Sequence, residues 1–414
     1  MPINADNIRA LLAEYRPGFS LPQGLYLDEE VFQADLQAVW QREWLFAAAG
    51  VEIPKPGDRI TMELGTNSII ILRDAQHQVR AFHNSCRHRG SRICLTERSH
   101  GSMLVCPYHQ WSYALDGALR GARQMPKDFD KSSHGLVPVH ATEVCGLIYV
   151  CLAETPPDIE TFRQQITPYV GPHVAGPMKV AAQQTIIEEG NWKLVIENNR
   201  ECYHCIGNHP ELLISLVDFP VPNTPSAAAE FETMLARKTG HWDRLGLPYR
   251  AVNGGRGVRC IRLPFHEGTV SFTMDGGPAV RKLLEGFTDP DLGSVRMYHA
   301  PNNWNHFVAD HTVHFRVLPL SAGRTEVRTT WLVHAEAEEG VDYDVKRLTE
   351  VWEVTNDQDR TLVQNNHLGI ASDVYRPGPY APSEAPLADF CDWYTERMTG
   401  FWGAPAGRMP QAAE

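Results

Sequence analysis

The apolar residues at the start of the chain recur at helical spacing. Ile8, Leu11 and Leu12 predict a short first helix, and the acidic run from Asp28 favours the N-terminus of a second one. The apolar face of this second helix would consist of Val31, Phe32, Leu36, Val39 and Trp40. We therefore predict N-terminal helices within residues 1–40.

From Gly57 onward the apolar residues follow the spacing of a strand. The first alternating apolar residues are Ile60, Met62 and Leu64. Further apolar runs, separated by turn residues, lie at 68–72, 79–82 and 147–152. This pattern predicts antiparallel strands, and it stops at the paired prolines of Glu154–Asp158, which resist both helix and strand. We therefore expect a small β domain over residues 41–155.

Beyond this boundary the pattern mixes strands with helices. The predicted elements are strands at 313–317 and 326–333, and helices around Trp192 and from Tyr343 to about Asn366. Such a mixture indicates an α+β fold, in which helices cover one face of an antiparallel sheet, and we assign it to residues 165–414. Several glycines without a clear period predict a long loop over residues 227–256.

The composition of the 414-residue chain is that of a folded protein without a membrane anchor. Hydrophobic residues make up 43% of it, yet no apolar run approaches the roughly 20 residues that span a bilayer. The formal charge of −12 argues against nucleic-acid binding, which needs a basic surface. No secretory signal is evident at the N-terminus. We therefore expect a cytoplasmic protein whose nine cysteines are reduced metal ligands or buried apolar residues.

Two mixed pairs of cysteine and histidine form the most specific motif in the chain. One residue separates Cys86 from His88, and two residues separate Cys106 from His109. Seventeen residues lie between His88 and Cys106. Two thiolates on one iron and two imidazoles on the other constitute a Rieske [2Fe-2S] cluster. Zinc is the alternative, but zinc sites usually pair like residues at wider spacing, so we predict that these four residues bind a Rieske cluster.

A second candidate metal site combines two histidines with a distant aspartate. His204 and His209 lie five residues apart, and Pro210 follows them where a helix would end. Asp359 falls on the apolar face of a predicted helix, where a carboxylate is costly unless it is paired or bound to metal. The other members of this face are Val351, Trp352, Thr355, Leu362 and Val363. Two histidines and one carboxylate predict mononuclear Fe(II), with a capping or salt-bridged Asp359 as the alternative.

For the other cysteines and histidines near these motifs, we predict neither a redox function nor metal binding. Cys202 and Cys205 form a Cys-X-X-Cys pattern, but no thioredoxin-like βαβ pattern surrounds them. Four further histidines fall in a strand-rich stretch, and strand or hairpin positions are favoured over metal binding there. They are His299, His306, His311 and His314.

The residues around both metal motifs resemble those of the Rieske non-haem iron oxygenases. The cluster motif continues as Cys106-Pro-Tyr-His-X-Trp. The segments Asn191-Trp-Lys and Gln358-Asp359-Arg-Thr-Leu-Val resemble the iron motif of the same family. The resemblance covers nearly the whole chain, and it implies a Rieske domain followed by a catalytic iron domain in which Asp359 serves as a ligand and catalytic residue.

The resemblance also implies how electrons reach the iron. Glu201 stands three residues before the first iron histidine, where an acidic residue of this family links the two metal centres. Its carboxylate would bridge His204 and the cluster ligand His109 of a neighbouring subunit in a homotrimer. A separate flavin- and ferredoxin-type reductase using NAD(P)H would supply the electrons, and no Gly-X-Gly-X-X-Gly motif follows a strand in this chain.

Within the family, two segments resemble the members that act on quaternary ammonium compounds, including the glycine betaine and proline betaine (stachydrine) demethylases. These segments are Glu197–Cys205 and Thr355–Arg360. The resemblance implies N-demethylation of a small betaine with O₂ and release of formaldehyde. A quaternary ammonium group favours aromatic faces, for which Tyr298, Trp304 and Phe307 are the candidates. A dihydroxylating oxygenase of aromatic rings and a Rieske electron-transfer protein are the alternatives.

Overall fold

The computed structural model describes residues 3–217 and 225–403. The chain divides into two compact units. The smaller unit is Gln41–Asp158, and the larger unit joins Met1–Trp40 to Ile159–Glu414. In the described part of the chain, no helix has both the length and the apolar character that a bilayer crossing requires.

The smaller unit contains two antiparallel sheets. Its strands are β1 (Leu45–Ala49), β2 (Asp58–Leu64), β3 (Asn67–Arg73), β4 (Val79–His83), β5 (Arg98–His100), β6 (Leu104–Val105), β7 (Ser112–Tyr113), β8 (Leu119–Gly121), β9 (Pro138–Val144) and β10 (Leu147–Cys151). Seven strands pair in the order β1-β10-β9-β4-β3-β2-β5, and β6-β7-β8 form the second sheet. Ile60, Met62 and Leu64 are buried and alternate with less buried residues. The predicted strand character of this region is confirmed.

The N-terminal helices belong to the larger unit. They are α1 (Ala5–Glu14), α2 (Gln23–Leu27) and α3 (Glu29–Asp35). The side chain of Asn4 caps α1 by accepting hydrogen bonds from the backbone N–H groups of Asp6 and Asn7. Helix α3 begins directly after Asp28 and continues into a π-helical turn, Leu36–Trp40. The predicted apolar face is buried along its whole length, so both helix predictions are confirmed.

The rest of the larger unit is a seven-stranded antiparallel sheet with helices. Its strands are β11 (Met178–Glu188), β12 (Val252–Asn253), β13 (Val258–Leu263), β14 (Ser294–His299), β15 (Asn303–Phe307), β16 (Thr312–Ser321) and β17 (Arg324–His334). Its further helices are α4 (Glu160–Val170), α5 (Trp192–Arg200), α6 (Cys205–Asn208), α7 (Pro225–Leu245), α8 (Val345–Ile370) and α9 (Ala385–Trp402). The strands pair in the order β11-β17-β16-β15-β14-β13-β12, and the predicted α+β class is confirmed.

Helix α7 corrects one expectation. The loop predicted over residues 227–256 is wrong for its first part, because this part is helical. Lys238 and Trp242, one helical turn apart, are both buried, and the Lys238 ammonium group pairs with Asp291. Polar residues interrupt the apolar spacing of this helix, so its periodicity is weak in the sequence. Packing of its buried face against the rest of the unit supplies the stability that local propensity does not.

The strand register places one row of side chains across the larger sheet. Paired residues of antiparallel strands point to the same face, and the pairs here connect β13, β14, β15, β16 and β17. The row consists of Arg259, Tyr298, Trp304, Phe315 and Thr329. The neighbouring row on the same face contains Ile261, Arg296 and His306. Helix α8 covers this face, since the Asn356 amide donates to the Thr329 hydroxyl at 2.9 Å.

Buried polar contacts fix helix α5 against the N-terminal helices. The Asn191 side chain accepts from the backbone N–H of Lys193 at 3.0 Å and donates to the backbone carbonyl of Tyr26 at 2.7 Å. The Lys193 ammonium group pairs with Asp35, and both side chains are fully buried. One turn later, Glu197 accepts from the Tyr26 hydroxyl at 2.8 Å. Because an unpaired buried charge is costly, these contacts specify the orientation of the helix that leads into the second metal motif.

The carboxyl group of Glu197 gives a prediction about stability and pH. Burial raises the pKa of Glu197 to about 8, although the hydrogen bond from Tyr26 and the charge of Lys193 act in the opposite direction. In the unfolded chain the pKa of the same group is about 4.3. The native state therefore loses stability as pH rises between these two values, by up to about 1.4 kcal/mol per pH unit. We expect Glu197→Gln, which cannot ionise, to flatten the fall of Tm between pH 5 and pH 8.

The matched control is Glu232→Gln, which removes a carboxylate from an exposed position of helix α7. This variant should keep the pH profile of the unsubstituted protein. If Tm fell with pH in parallel for the Glu197→Gln variant and the unsubstituted protein, the assignment of a neutral buried carboxyl group would be contradicted.

Candidate metal centres and substrate cavity

Two loops of the smaller unit present the first metal motif in matching geometry. The backbone carbonyl of Cys86 accepts from the N–H of Gly90 at 2.8 Å, and that of Cys106 accepts from the N–H of Gln110 at 3.0 Å. Gly90 and Gln110 both adopt left-handed backbone conformations, with φ of 77° and 63°. Glycine adopts this conformation without strain, whereas glutamine needs the surrounding loop to hold it. Each cysteine therefore starts a tight turn of the same shape.

The four side chains of this motif separate into a thiol pair and an imidazole pair. Cys86 and Cys106 are buried, and burial together with the adjacent Cys106 thiol raises the pKa of Cys86. His88 is exposed and His109 half-buried, with 4.6 Å between the centroids of the two rings. A buried thiolate needs a cation beside it. Two inner thiols and two outer imidazoles therefore fit the two irons of a Rieske cluster.

The second metal motif converges in the larger unit. His209 Nε2 lies 3.0 Å from Asp359 Oδ1, and His204 Nε2 lies 3.4 Å from the same oxygen. The two imidazole rings are 5.0 Å apart and nearly perpendicular, at 83°. His204 directly precedes helix α6 and His209 directly follows it, whereas Asp359 comes from the middle of helix α8. The structure thus brings together the three residues that the sequence analysis selected.

Two atoms of this group are buried and lack a well-aligned hydrogen bond. His209 Nε2 and Asp359 Oδ1 are close, but their geometry is not that of a hydrogen bond. Burial lowers the pKa of His204, yet the carboxylates of Asp359 and Glu201 outweigh this effect and raise it to about 9. The imidazoles in turn hold the pKa of Asp359 below its usual value despite burial. The site therefore favours a cation, and two nitrogens with one carboxylate oxygen suit Fe(II).

Hydrogen bonds behind the histidines orient both rings. Glu201 Oε1 lies 2.5 Å from His204 Nδ1, and Gln358 Oε1 lies 2.7 Å from His209 Nδ1. Gln358 Nε2 in turn donates to Glu211 at 3.0 Å. Because each Nδ1 is occupied, each Nε2 is left for a metal. Sequence reasoning had no role for Gln358, although its place beside Asp359 on the helix was the available signal.

A disulfide closes the loop that carries His204. Cys202 and Cys205 are bonded with an S–S distance of 2.02 Å and a Cα–Cα distance of 4.9 Å. The expectation that all nine cysteines are reduced is therefore wrong for this pair. The turn that starts helix α6 brings residues three apart within disulfide range, which the spacing alone did not establish.

A cavity of about 760 Å³ extends from these ligands. His204, His209 and Asp359 line it on one side. Helix α5 contributes its last residue, Arg200, and helix α8 contributes the ring of Trp352. The sheet contributes residues from both rows described above, namely Arg259, Arg296, Tyr298, Trp304 and His306. The cavity therefore combines aromatic faces with three guanidinium groups beside the candidate metal site.

The three predicted aromatic residues do not share one position. Tyr298 and Trp304 line the cavity, in agreement with their place in one row of the sheet. Phe307 does not line it, because strand alternation turns this side chain to the other face, 5.4 Å from the His314 ring. Phe307 is therefore removed from the candidate set. Trp352 takes its place, since its ring lies 4.5 Å from His306 and it shares the Asp359 face of helix α8.

The four histidines of the strand-rich stretch are buried, and three of them have polar or ring partners and do not line the cavity. His314 Nδ1 lies 2.7 Å from Asn305 Oδ1, and His311 Nδ1 lies 2.8 Å from Asp310. The ring of His299 packs against Phe162 at 4.5 Å. His306 is the member that lines the cavity. Among the described residues, potential metal ligands cluster in a group of three or more around His204 and His209. None of the four histidines belongs to this group.

Family comparisons agree with this geometry. The profile of the Rieske [2Fe-2S] domain matches residues 43–142. The profile of the ring hydroxylating alpha subunit (catalytic domain) matches residues 177–400. The chain belongs to the Rieske oxygenase alpha subunits. Members of this family are non-haem iron oxygenases, and the two matched domains imply one Rieske cluster and one mononuclear iron.

Curated relatives of this Rieske oxygenase are oxygenase subunits as well. The chain is 47% identical to the glycine betaine monooxygenase oxygenase subunit of Pseudomonas aeruginosa (strain PAO1) over 397 residues, which is 95% of this chain and 92% of that protein. It is 46% identical to the same subunit of Chromohalobacter salexigens, over 95% of this chain and 89% of that protein. The carnitine monooxygenase oxygenase subunit of Escherichia coli (strain K12) is 32% identical, over 48% of this chain and 54% of that protein.

Solved structures share the fold at low sequence identity. The quaternary ammonium Rieske monooxygenase CntA in complex with L-carnitine has a TM-score of 0.69 and 20% identity, with 96% of this chain and 99% of that chain covered. Naphthalene 1,2-dioxygenase from Rhodococcus sp. has a TM-score of 0.69 and 16% identity at the same coverage. The fold of this Rieske oxygenase therefore occurs in proteins named for quite different substrates.

Gln358 gives a prediction about metal affinity. Substituting Gln358 by Leu removes the acceptor that orients the His209 ring, so we expect the affinity for mononuclear iron to fall by about 10- to 100-fold. Iron retained after dialysis against graded chelator measures this change, with the Rieske absorbance as an internal reference. The matched control is Gln364→Leu, six residues further along the same helix. Equal iron retention in the two variants would show that Gln358 does not support the site.

Proposed function

We propose that this Rieske oxygenase is the terminal component of a system that N-demethylates a small quaternary ammonium betaine. The observation that carries the proposal is a cavity in which three candidate iron ligands face aromatic rings and guanidinium groups. Aromatic faces attract a quaternary ammonium group, and guanidinium groups attract a carboxylate. The relatives named glycine betaine monooxygenase oxygenase subunit support the same substrate class.

Seven residues would hold the two metal groups. Cys86, Cys106, His88 and His109 would bind the Rieske cluster, and His204, His209 and Asp359 the mononuclear iron. When bound, the cluster supplies single electrons and the iron supplies the reductive activation of O₂. Glu201 and Gln358 would hold the Nδ1 protons of the two iron histidines, so that each Nε2 stays a neutral donor.

The overall reaction balances with one O₂ and two electrons. One oxygen atom enters a C–H bond of an N-methyl group, and the other leaves as water with two protons. The carbinolamine that forms then loses formaldehyde and a proton, which leaves the demethylated amine. The cavity walls would orient the methyl group toward the ligand side, and the buried rings of Trp304 and Trp352 would limit the access of bulk water.

Electron supply would require other polypeptides. A reductase would reduce the cluster, and Glu201 would connect His204 to His109 of a neighbouring copy of the chain. The contact of Glu201 with His204 Nδ1 supports this role. A homotrimer would repeat the connection three times, as the family resemblance implies.

The cavity disfavours the two alternative functions. An arene would leave the guanidinium groups of Arg200 and Arg259 facing apolar surface, which is costly. A simple electron carrier would have no use for the convergence of His204, His209 and Asp359. Formaldehyde release from a panel of betaines, assayed against cis-diol formation from arenes with the same reductase, tests the choice directly.

Asp359 gives the sharpest test of the iron site. Asp359→Ala should lower the iron content from about three to about two atoms per chain, because the cluster keeps its own ligands. Formaldehyde release should fall by at least about 100-fold. Asp357→Ala is the matched control, since Asp357 is exposed on the same helix and pairs with Arg360. Unchanged iron content and turnover in the Asp359 variant would leave only an electron-transfer role.

A further inference from the structure

Arg200 occupies an unusual position in the cavity. It is the last residue of helix α5, and its guanidinium carbon lies 3.8 Å above the centre of the Tyr298 ring. The Nε atom is buried and makes no hydrogen bond. Within residues 3–217 and 225–403, no carboxylate forms an ion pair with this guanidinium group. Stacking on Tyr298 therefore holds its orientation while its hydrogen-bond donors remain available to a ligand.

A second guanidinium group lies beside the same ring. Arg259 is the register partner of Tyr298 on the neighbouring strand, and it also lines the cavity. Burial lowers the pKa of Arg200 to about 10, and Arg259 acts in the same direction. Asp389 attracts both groups at longer range without a hydrogen bond to either. Two adjacent, partly buried guanidinium groups that form no ion pair within the described residues are costly, and an anionic ligand would relieve this cost.

We propose that Arg200, stacked on Tyr298 and assisted by Arg259, binds the carboxylate of the substrate and makes the cavity selective for betaines. The inference rests on the proposed N-demethylation and names the determinant of its substrate class. An arginine fork matches the two oxygens of a carboxylate, so the charged tail is recognised by geometry as well as by charge.

The order of residues across the sheet supports this placement. Tyr298 and Trp304 are register partners on adjacent strands, which lie about 4.8 Å apart. Trp304 lines a narrow cleft together with Asp359, so it lies on the ligand side. A carboxylate at Arg200 would therefore place the ammonium group of a short betaine over Trp304, with a methyl group toward the candidate iron ligands. A substrate without the carboxylate would lose this anchor and keep the aromatic contact.

The test compares glycine betaine with choline, which carries the same trimethylammonium group and a hydroxyl in place of the carboxylate. Binding to the oxidised, iron-loaded protein is measured by calorimetry, and formaldehyde release is measured with the reductase. Arg200→Met should weaken glycine betaine binding by about 10- to 100-fold and change choline binding by less than about threefold. Arg200→Lys should recover only part of the loss, because lysine lacks the planar fork.

Arg256→Met is the matched control. It also removes one arginine from the larger unit, but Arg256 pairs with Glu396 and Asp392 and does not line the cavity. This variant should leave the binding of both compounds unchanged. Rieske absorbance and iron content equal to those of the unsubstituted protein would show that the Arg200→Met variant is folded and loaded.

Three results would overturn the inference. They are equal weakening of both compounds by Arg200→Met, no weakening of either, and selective loss with Arg296→Met in place of Arg200→Met. Failure of the proposed N-demethylation can be told apart from failure of the carboxylate site. In that case the unsubstituted protein would bind betaine but release no formaldehyde. An Arg200-dependent preference for glycine betaine over choline in the binding measurement would support the carboxylate site even then.

Discussion

The interaction on which the larger unit depends is the contact of one partly buried carboxylate with two imidazoles. Asp359 stands on the apolar face of helix α8, where an isolated charge would be expensive to bury. His204 and His209 meet the same carboxylate oxygen at 3.4 and 3.0 Å. This contact ties the loop after helix α5 to the middle of helix α8, and each histidine is held from behind by a further acceptor. The two imidazoles lower the cost of burying the Asp359 carboxylate, and together with it they form a site for a cation.

The alternation of side chains in the antiparallel sheet determines what faces that site. A one-residue step along β14 or β15 moves a side chain from the cavity to the opposite face. Tyr298 and Trp304 are therefore neighbours in the cavity wall, whereas Phe307 contributes to packing on the other face. Helix α8 closes the arrangement by placing Trp352 two turns before Asp359. The aromatic wall and the ligand set thus depend on one sheet and one helix.

Charge is distributed unevenly within this cavity. Carboxylates stand at and behind the ligand side, and guanidinium groups stand along β13, β14 and the end of helix α5. The Arg200 guanidinium group stacks on the Tyr298 ring and forms no ion pair in the part of the chain that the structure describes, which leaves its charge available to a ligand in the cavity. A small zwitterion would match this pattern better than an uncharged arene would. The fold alone does not impose the preference for a zwitterion, since naphthalene 1,2-dioxygenase has the same fold.

The sequence by itself determined the class of fold and the metal chemistry, because those signals are local. Cysteine and histidine at short spacing indicate ligands without reference to the rest of the chain. Helical periodicity selected Asp359 only together with the two histidines that lacked a third ligand and with the family resemblance. Only the tertiary structure decided which residues surround the iron site. The exclusion of Phe307, the inclusion of Trp352 and the stacking of Arg200 all depend on strand register and helix packing. These contacts join residues far apart in the chain, and no local pattern specifies how such segments align.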